Sequence, residues 1–381
     1  MPSLLDLIRD APRLGLYVHI PFCSSLCPYC DFAVVVGRDA DHERYIDAVL
    51  AEARARAEEH AWNPFQTVFI GGGTPTQIPA EATVRLIQGV REIFGFAEEV
   101  ELTLEANPES VEPADIELLA AAGMNRVSIG AQSFDPETLS RLGRQHGPDS
   151  IVRAVAAVRA AGIASVNLDL IYGTAGEDDR SWRSTLEQAL RLEPDHLSCY
   201  GLGIEERTVF GKRAEAGEQL AVDDDQMAER FEVTVAELEA AGLRQYEVSN
   251  FARPGHECRH NLGIWCGGDY LGLGLGAHSL RAAQRWWNTR NLGSYLEAPS
   301  EAREGEETLD ADRRAEEWIT TRIRLRAGFP KAVADTVLPD FSARAAPLID
   351  SGLLEEAAGG YVRTTIRGML LENEVNLRLL A

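Results

Sequence analysis

The chain has 381 residues, of which 45% are hydrophobic and 25% are charged, as in ordinary soluble globular proteins. Its formal net charge of -23 repels phosphate backbones and anionic membrane surfaces, so nucleic acid is not an expected partner. The length allows one large domain and a smaller one.

The amino-terminal segment, MPSLLDLIRDAPRLG, lacks the pattern of a signal peptide, because Asp6 interrupts its apolar run and no small-residue cleavage pattern follows. No run of eighteen or more apolar residues occurs in the chain, so we expect no integral membrane span. These features predict a cytoplasmic protein. In a reducing compartment, clustered cysteines are metal ligands or redox groups more often than disulfides.

From residue 14 onward, apolar, β-rich runs alternate with segments of helical spacing. Strands separated by helices form parallel sheets with crossover connections. Six such units allow either a partial barrel or an open doubly wound sheet, and in both the site forms at the carboxyl ends of the strands. The six runs are LGLYVHI (14–20), TVFIGGG (67–73), VELTLEA (100–106), RVSIGAQ (126–132), SVNLDLIYG (165–173) and HLSCYGLGI (196–204).

The pattern changes after the sixth unit, and we divide the chain there. Residues 1–245 form the predicted core, and residues 246–299, rich in Gly, aromatic residues and His, form a predicted connecting region. The acidic stretch 297–312 has the composition of a linker. Residues 300–381 predict a mostly helical, winged-helix-like domain with a small hairpin and no basic recognition face.

Cys23, Cys27 and Cys30 have the spacing C-x3-C-x2-C in the stretch FCSSLCPYCDF. Thiolates bind soft metals and iron–sulfur clusters, and close spacing lets one loop surround one inorganic core. Three thiolates on a [4Fe–4S] cluster leave one iron open to a small molecule. Zinc, which would need a fourth Cys or His, and a redox pair, which would leave Cys23 unexplained, are the alternatives.

The position of this cysteine motif, just after the first predicted strand, resembles the radical S-adenosylmethionine superfamily. In that superfamily the open iron binds the methionine amino and carboxylate groups of the cofactor, and an electron from the cluster cleaves its sulfonium to a 5′-deoxyadenosyl radical. The stretch FIGGGTPT at the end of the second strand strengthens the resemblance, because glycines let backbone approach a ligand closely.

Six ordered motifs narrow the resemblance. LYVHIPFC, FIGGGTPT, LTLEANP, GAQSF, LGRQH and NLDLIYG are similar to motifs of the oxygen-independent coproporphyrinogen III oxidase family, over about residues 14–300. The resemblance implies an α/β fold. It would be the radical SAM partial (β/α)6 barrel, followed by a small, mostly helical, winged-helix-like carboxyl-terminal domain.

The resemblance also implies roles for individual residues. The three cysteines would hold a [4Fe–4S] cluster, and Tyr17 and Tyr29 would line the pocket for the cluster and the cofactor. A guanidinium can pair with a carboxylate, and strand-end carboxylates and amides can bind ammonium and hydroxyl groups. The implied S-adenosylmethionine contacts are Gly72, Gly73 and Thr74 at the methionine amino end, and Glu105, Gln132, Arg144 and Asp169 at its other polar groups.

Two details are similar to the heme chaperone branch of this family, HemW. The oxidases continue the cysteine motif to a fourth Cys, where this chain has Phe32. The stretch RHNLGIW resembles the H-N-x-x-Y-W motif of the branch, which implies that His260 helps to hold heme, although Ile264 replaces the Tyr. Imidazole is a good axial ligand of heme iron, while a hydrogen-bonded structural role for His260 is the alternative.

Other residues are weaker candidates for a heme ligand. They are His278, Cys258 and Cys266. Cys199 lies in a predicted strand, and we expect it to be buried and inert.

The resulting hypothesis is a protein that binds heme and delivers it to heme-accepting proteins. S-adenosylmethionine and the cluster would tune the transfer, the formation of a homodimer or the contact with the acceptor. One alternative is an enzyme that decarboxylates coproporphyrinogen III oxidatively to protoporphyrinogen IX, against which Phe32 argues. Another is a radical methyltransferase or heme-modifying enzyme with the same core, so enzymatic turnover is left open.

Overall fold

The computed structural model of the chain describes residues 4–62 and 64–381, so the first three residues of the amino-terminal segment lie outside it. The described strands are β1 (Leu14–Ile20), β2 (Phe22–Cys23), β3 (Val35–Val36), β4 (Phe65–Gly72), β5 (Phe96–Ala106), β6 (Arg126–Gln132), β7 (Ser165–Tyr172), β8 (His196–Gly201), β9 (Arg244–Glu247), β10 (Asn250–Ala252), β11 (Asp269–Leu273), β12 (His278–Arg281), β13 (Gln284–Asn288), β14 (Arg303–Thr308), β15 (Phe329–Pro330), β16 (Leu354–Ala357) and β17 (Tyr361–Thr364).

Helices connect and cover these strands. They are α1 (Leu4–Arg9), α2 (His42–Glu59), α3 (Ala80–Phe94), α4 (Pro113–Ala121), α5 (Pro136–Arg141), α6 (Pro148–Ala160), α7 (Asp179–Arg191), α8 (Val209–Glu215), α9 (Asp224–Ala240), α10 (Arg259–Trp265), α11 (Leu292–Glu297), α12 (Ala311–Arg322), α13 (Lys331–Val337), α14 (Phe341–Asp350), α15 (Ile366–Leu370) and α16 (Glu372–Leu380). None of the helices in the described ranges has the length and apolarity needed to cross a membrane.

The main sheet has the strand order β14-β13-β12-β11-β1-β4-β5-β6-β7-β8-β10-β9. Its parallel part from β1 to β8 follows chain order, so each helical crossover adds the next strand on the same side. A doubly wound sheet would reverse direction at a switch point. The order therefore selects the partial (β/α)6 barrel from the two expected alternatives and confirms the six βα units.

Apolar and polar residues alternate along the parallel strands, as in RVSIGAQ of β6 and SVNLDLIY of β7, and most of both sets are buried. Leu16, Val68, Leu104, Val127 and Leu168 on five successive strands are fully buried in one apolar core. Burying a side chain of this size stabilises the fold by about 1.5–3 kcal/mol. The sheet is therefore a rigid base for the polar residues at its ends.

Residues 246–312 do more than connect the two ends of the chain. Strand β10 pairs antiparallel with β8 at one side, and β11 pairs parallel with β1 at the other. The stretch 297–312, for which the composition predicted a linker, contains β14, which pairs with β13. The linker prediction was wrong because the acidic residues of REGEET belong to an edge strand, where charged side chains are common. Alternate residues of this strand are half-buried.

The carboxyl-terminal residues form a second apolar core around α12, α13, α14 and α16, and a three-stranded sheet of order β15-β17-β16. Strands β16 and β17 form the predicted small hairpin, with Leu354 opposite Thr364. The fully buried residues of this second core include Ile319, Phe341 and Leu348. The observed mixture of helices and a hairpin agrees with the expected fold class.

Helix α10 closes the amino-terminal end of the barrel. The Glu101 carboxylate on β5 accepts hydrogen bonds from the backbone N–H groups of Arg259 and His260, each at 2.9 Å, and so satisfies two free donors in the first turn of α10. His260 also lies against Thr67 on β4 and Gly15 on β1. This helix, rather than a strand end, places His260 inside the barrel.

Candidate functional site

Cys23 ends β2, and Cys27 and Cys30 lie on the loop between β2 and β3, beside the carboxyl ends of the barrel strands. Pairing of Phe22 with Val35 closes the loop, and the Cys30 backbone N–H donates to the Cys27 carbonyl at 3.1 Å. All three thiols are free and partly exposed. They line a cavity of about 710 Å³, here called the cysteine cavity, whose rim includes the exposed Glu205.

The glycines after β4 bring that strand end directly against the cysteine loop. A Cβ atom on Gly73 would lie 2.9 Å from the Cys23 Sγ atom, and Gly72 has a φ of 116°, which side chains other than hydrogen rarely allow. The Thr74 hydroxyl donates to the Cys23 thiol at 3.6 Å. Gly72, Gly73 and Thr74 all line the cysteine cavity, so the structure brings these predicted residues together with the cysteines.

Arg144 links the cysteine loop to two strand ends. Its Nη1 atom donates to the Cys27 thiol at 3.4 Å, and its Nη2 atom donates to the Asn107 side-chain oxygen at 2.6 Å. Its Nε atom is buried without a hydrogen-bond partner among the described residues. Asn107, which the sequence analysis did not single out, also donates to Thr74 at 3.0 Å. Its position two residues after Glu105, on the same face of the chain, was the available signal.

Gln132 and Tyr29 complete the wall of the cysteine cavity. Gln132 has a φ of 62° at an irregularity in the pairing of β6 with β7, and this left-handed conformation turns the strand end toward the cavity. Tyr29 lines the same cavity, with its ring 6.3 Å from that of Phe210. Their placement agrees with a pocket for a polar ligand next to the thiols.

Glu105 and Asp169 lie between the cysteine cavity and a second cavity of about 690 Å³, and they line both. Glu105 accepts from the Gly72 backbone N–H at 2.8 Å, and burial raises its pKa to about 8, with the Asp169 charge contributing. Asp169 accepts from Ser128 at 2.9 Å and from Asn167 at 2.8 Å, and burial raises its pKa also. Two carboxyl groups therefore stand between the cavities, and burial favours the protonated form of each.

The cysteine cavity has the donor set of an iron–sulfur site. Burial raises the pKa values of the Cys23 and Cys30 thiols, and metal binding would require both as thiolates. Within the described ranges, no three His, Cys, Asp or Glu side chains are arranged to hold a single metal ion. In a four-iron cluster each thiolate binds a different iron, so the sulfurs need not converge. The three thiols therefore fit a cluster better than one ion.

The second cavity, here called the His260 cavity, occupies the interior of the barrel down to α10. It is lined by aromatic side chains, among them Tyr17, Phe69 and Trp287, and by polar residues on five barrel strands. Tyr17 was expected beside the cluster, but the structure places it in this cavity, with its hydroxyl 2.9 Å from the His19 Nδ1 atom. The exposed His278 and Arg290 lie at its outer rim.

His260 is 4% exposed and borders this cavity. Its Nδ1 atom lies 2.9 Å from the Thr67 hydroxyl, and its ring centroid lies 5.3 Å from that of Phe69. Burial lowers its pKa to about 4, so the imidazole is neutral at neutral pH. When Nδ1 carries the proton and donates to Thr67, the Nε2 lone pair is free to bind a metal. Ile264 lines the same cavity, one turn further along α10.

The remaining ligand candidates are less suitable. His278 is exposed and stacks on Trp287, with ring centroids 5.8 Å apart. The Cys258 thiol lies 3.8 Å from a Glu101 carboxylate oxygen, and burial raises its pKa to about 12. Cys266 is buried in a separate apolar cluster, and Cys199 is buried in β8, as predicted. None of these thiols combines access to a cavity with a low pKa.

The floor of the His260 cavity contains polar residues that the sequence analysis did not select. The Asn167 amide donates to Ser128 at 2.6 Å and to Asp169, and its oxygen lies 2.7 Å from the His196 Nδ1 atom. Arg126, at the start of β6, is 2% exposed and also borders the cavity. The alternation of Asn167 and Asp169 along β7 was a signal that both face the barrel interior.

Comparison with known proteins agrees with this geometry. Residues 17–189 match the model of the radical SAM superfamily. The coproporphyrinogen III oxidase (HemN) from Escherichia coli, described as a radical SAM enzyme, has a similar structure, with a TM-score of 0.84. The match covers 100% of this chain and 93% of that one at 24% identity, so it shows a shared fold.

Curated relatives are closer in sequence. The chain is 39% identical over 372 residues to the heme chaperone HemW of Mycobacterium tuberculosis, with 96% of this chain and 94% of the relative covered. It is 36% identical over 376 residues to the heme chaperone HemW of Escherichia coli, with 96% and 97% covered. The chain therefore belongs to the HemW family of radical SAM proteins.

Proposed function

We propose that the protein is a heme chaperone, which binds heme in the His260 cavity and delivers it to heme-accepting proteins in the cytoplasm. The observation that carries the proposal is the buried, neutral imidazole of His260 at the wall of a cavity of about 690 Å³ lined by aromatic side chains. Cavities of 300–1,000 Å³ are typical of ligand sites, and aromatic walls suit a planar macrocycle. Family membership supports the same reading, because the curated relatives are named heme chaperones.

We further propose that the cysteine cavity holds the [4Fe–4S] cluster and S-adenosylmethionine. Cys23, Cys27 and Cys30 would bind the cluster, which supplies an open iron for the methionine end of the cofactor. The Arg144 guanidinium would orient a carboxylate, and the orphaned Nε atom supports this role. The other proposed cofactor contacts are Gly72, Gly73, Thr74, Glu105, Gln132 and Asp169, all of which line this cavity.

We assign one proposed role to each of the three predicted segments. We assign cofactor binding to residues 1–245 and the heme ligand to residues 246–299, and we assign contact with an acceptor or a second copy to residues 300–381. Glu105 and Asp169 connect the first two functions, because each borders both cavities. S-adenosylmethionine bound against these carboxyl groups would therefore change the charge that faces the heme.

The alternative activity is the oxidative decarboxylation of coproporphyrinogen III. The fold is compatible with it, but Phe32 stands where the oxidases have a fourth Cys and is 65% exposed. An exposed phenyl ring cannot replace a thiolate as a ligand or redox group. We therefore expect no porphyrinogen turnover.

The experiment uses anaerobically reconstituted protein whose cluster is verified by absorbance and iron content. Heme is titrated into the wild type, His260→Ala and His278→Ala, and coproporphyrinogen III turnover is assayed on the same preparations. We expect heme binding that weakens at least tenfold in His260→Ala, little change in His278→Ala, and no decarboxylated product. Turnover to protoporphyrinogen, with a heme affinity that neither substitution changes, would establish the oxidase activity instead.

A further inference from the structure

Arg126 is a buried cation whose donors are only partly used. Its Nη1 atom donates to the Ser165 hydroxyl at 2.9 Å and to the His256 carbonyl at 2.8 Å. Its Nε and Nη2 atoms make no hydrogen bond to any residue in the described ranges, and they are not sealed inside the protein, since the residue borders the His260 cavity. One edge of the guanidinium is therefore available to a ligand in this cavity.

The acidic groups around Arg126 are engaged elsewhere. Within the described part of the chain, no carboxylate lies within 4.0 Å of the Arg126 guanidinium. Glu101 accepts from the first backbone N–H groups of α10, and Asp169 accepts from Ser128 and Asn167. The charges of Glu101 and Asp169 act on Arg126 only from farther away, and a buried charge without a close counter-ion is costly, so this site favours an incoming anion.

A second orphaned donor lies beside it. Thr103 on β5 pairs directly with Arg126 on β6, and its hydroxyl has no hydrogen-bond partner in the described residues and almost no exposed surface, so a rotation of the side chain would be needed to turn it toward the cavity. Thr103 borders the same cavity. A planar guanidinium edge next to a hydroxyl matches a carboxylate, which accepts two parallel hydrogen bonds and has further lone pairs.

We propose that Arg126 and Thr103 form a carboxylate subsite that binds a propionate group of the heme. This inference rests on the proposed function, and it adds the chemical feature by which the cargo is recognised. Phe69, which touches the His260 ring, pairs with Thr103, which in turn pairs with Arg126. Two strand spacings, about 10 Å, separate Phe69 from Arg126. The proposed iron ligand and the propionate anchor therefore line the same cavity, with two strand steps between Arg126 and the residue that lies against the His260 ring.

The test compares heme with heme dimethyl ester, which has the same iron and macrocycle but no carboxylates. Both are titrated by absorbance into the reconstituted wild type, Arg126→Gln, Arg126→Lys, Thr103→Val and Arg290→Gln. We expect the wild type to bind heme about 10- to 100-fold more tightly than the ester, as the loss of a buried charge-assisted pair implies. Arg126→Gln should remove this preference, Arg126→Lys should keep part of it, and Thr103→Val should reduce it several-fold.

Three results would overturn the inference. Equal binding of heme and ester by the wild type, with binding still dependent on His260, would leave the chaperone function standing without the subsite. A preference lost in Arg290→Gln but kept in Arg126→Gln would put the propionate at the outer rim. The absence of any heme binding would remove the proposed function and the subsite together. If Arg126→Gln does not fold, the ester comparison in the wild type and in Thr103→Val still decides between these results.

Discussion

The Glu105 carboxylate accepts a hydrogen bond from the Gly72 backbone N–H at 2.8 Å, and this contact ties the glycine-rich end of β4 to the wall between the two cavities. A Cβ atom on Gly71 would lie 2.8 Å from the same carboxylate. The end of β4 can approach Glu105 this closely only because residue 71 is a glycine and has no Cβ atom. One carboxyl group therefore borders both proposed ligands and sits against the backbone of one cofactor contact.

The first prediction concerns the protonation of Glu105. Its pKa is about 8 in the folded chain and 4.5 in its ordinary state, so the folded protein binds the proton more tightly. The free energy of unfolding should then decrease as the pH rises from about 4.5 to 8, and the Glu105→Gln variant should lack this part of the decrease. Thermal melts of both proteins at pH 5 and pH 8 measure the effect. If the melting temperatures of the wild type and Glu105→Gln changed equally between pH 5 and pH 8, the pKa of Glu105 would not be raised by folding.

The second prediction concerns Gly73. In Gly73→Ala the new methyl group would overlap the Cys23 thiol and the Phe22 carbonyl, at 2.9 and 2.8 Å. Relief of such overlap costs about 1–3 kcal/mol and should displace the cysteine loop. We expect lower stability and a clear loss of iron after reconstitution. Gly147→Ala is the matched control, because no atom lies within 4 Å of its Cβ position. Full iron uptake by Gly73→Ala would refute the close packing.

The third prediction separates the clustered cysteines from the buried ones. Cys27→Ala should lose most of the about four iron atoms expected for a cubane, because one of three ligands is absent. Cys266→Ala should retain them, since Cys266 lies in an apolar cluster away from the loop. Iron content and the visible absorbance of the reconstituted proteins measure both. Equal iron loss in the two variants would point to a general effect of unfolding and would contradict the assignment.

The fourth prediction concerns the pH dependence of heme binding. An exposed imidazole loses its metal-binding form below about pH 6.5, whereas the pKa of His260 is about 4 because the ring is buried. Heme affinity should therefore stay nearly constant from pH 8 to pH 5 and fall about tenfold per pH unit only below about pH 4. Titrations across this range, within the pH limits of folding, provide the test. A midpoint near pH 6.5 would contradict a buried imidazole as the heme ligand.

The sequence was informative wherever one motif defined one local geometry. The spacing of the cysteines, the glycines after β4 and the six βα units predicted the loop, the strand end and a parallel sheet, because each depends on neighbouring residues or on a regular period. The choice of a partial barrel over an open doubly wound sheet came from the family resemblance. Gln132 and Arg144 were assigned to the site from the resemblance, and the structure brings them to the cysteine cavity.

Long-range placement was harder to predict. Tyr17 is only six residues from Cys23 but lines the other cavity, because Tyr17 lies in the middle of β1, whereas Cys23 lies beyond the carboxyl end of that strand. Arg126 and Thr103 become neighbours only through the pairing of β5 with β6. The edge strand β14 was mistaken for a linker because its charged composition gives no sign of its pairing with β13. These relationships depend on register, which the composition of a segment does not specify.

Both cavities are lined by Glu105 and Asp169, and also by the exposed residues Asp31 and Phe32. Their openings therefore adjoin, and a ligand bound in one cavity lies beside the entrance of the other. The order of loading should consequently change the rate: heme should enter more slowly when S-adenosylmethionine is already bound, while the final complex stays the same.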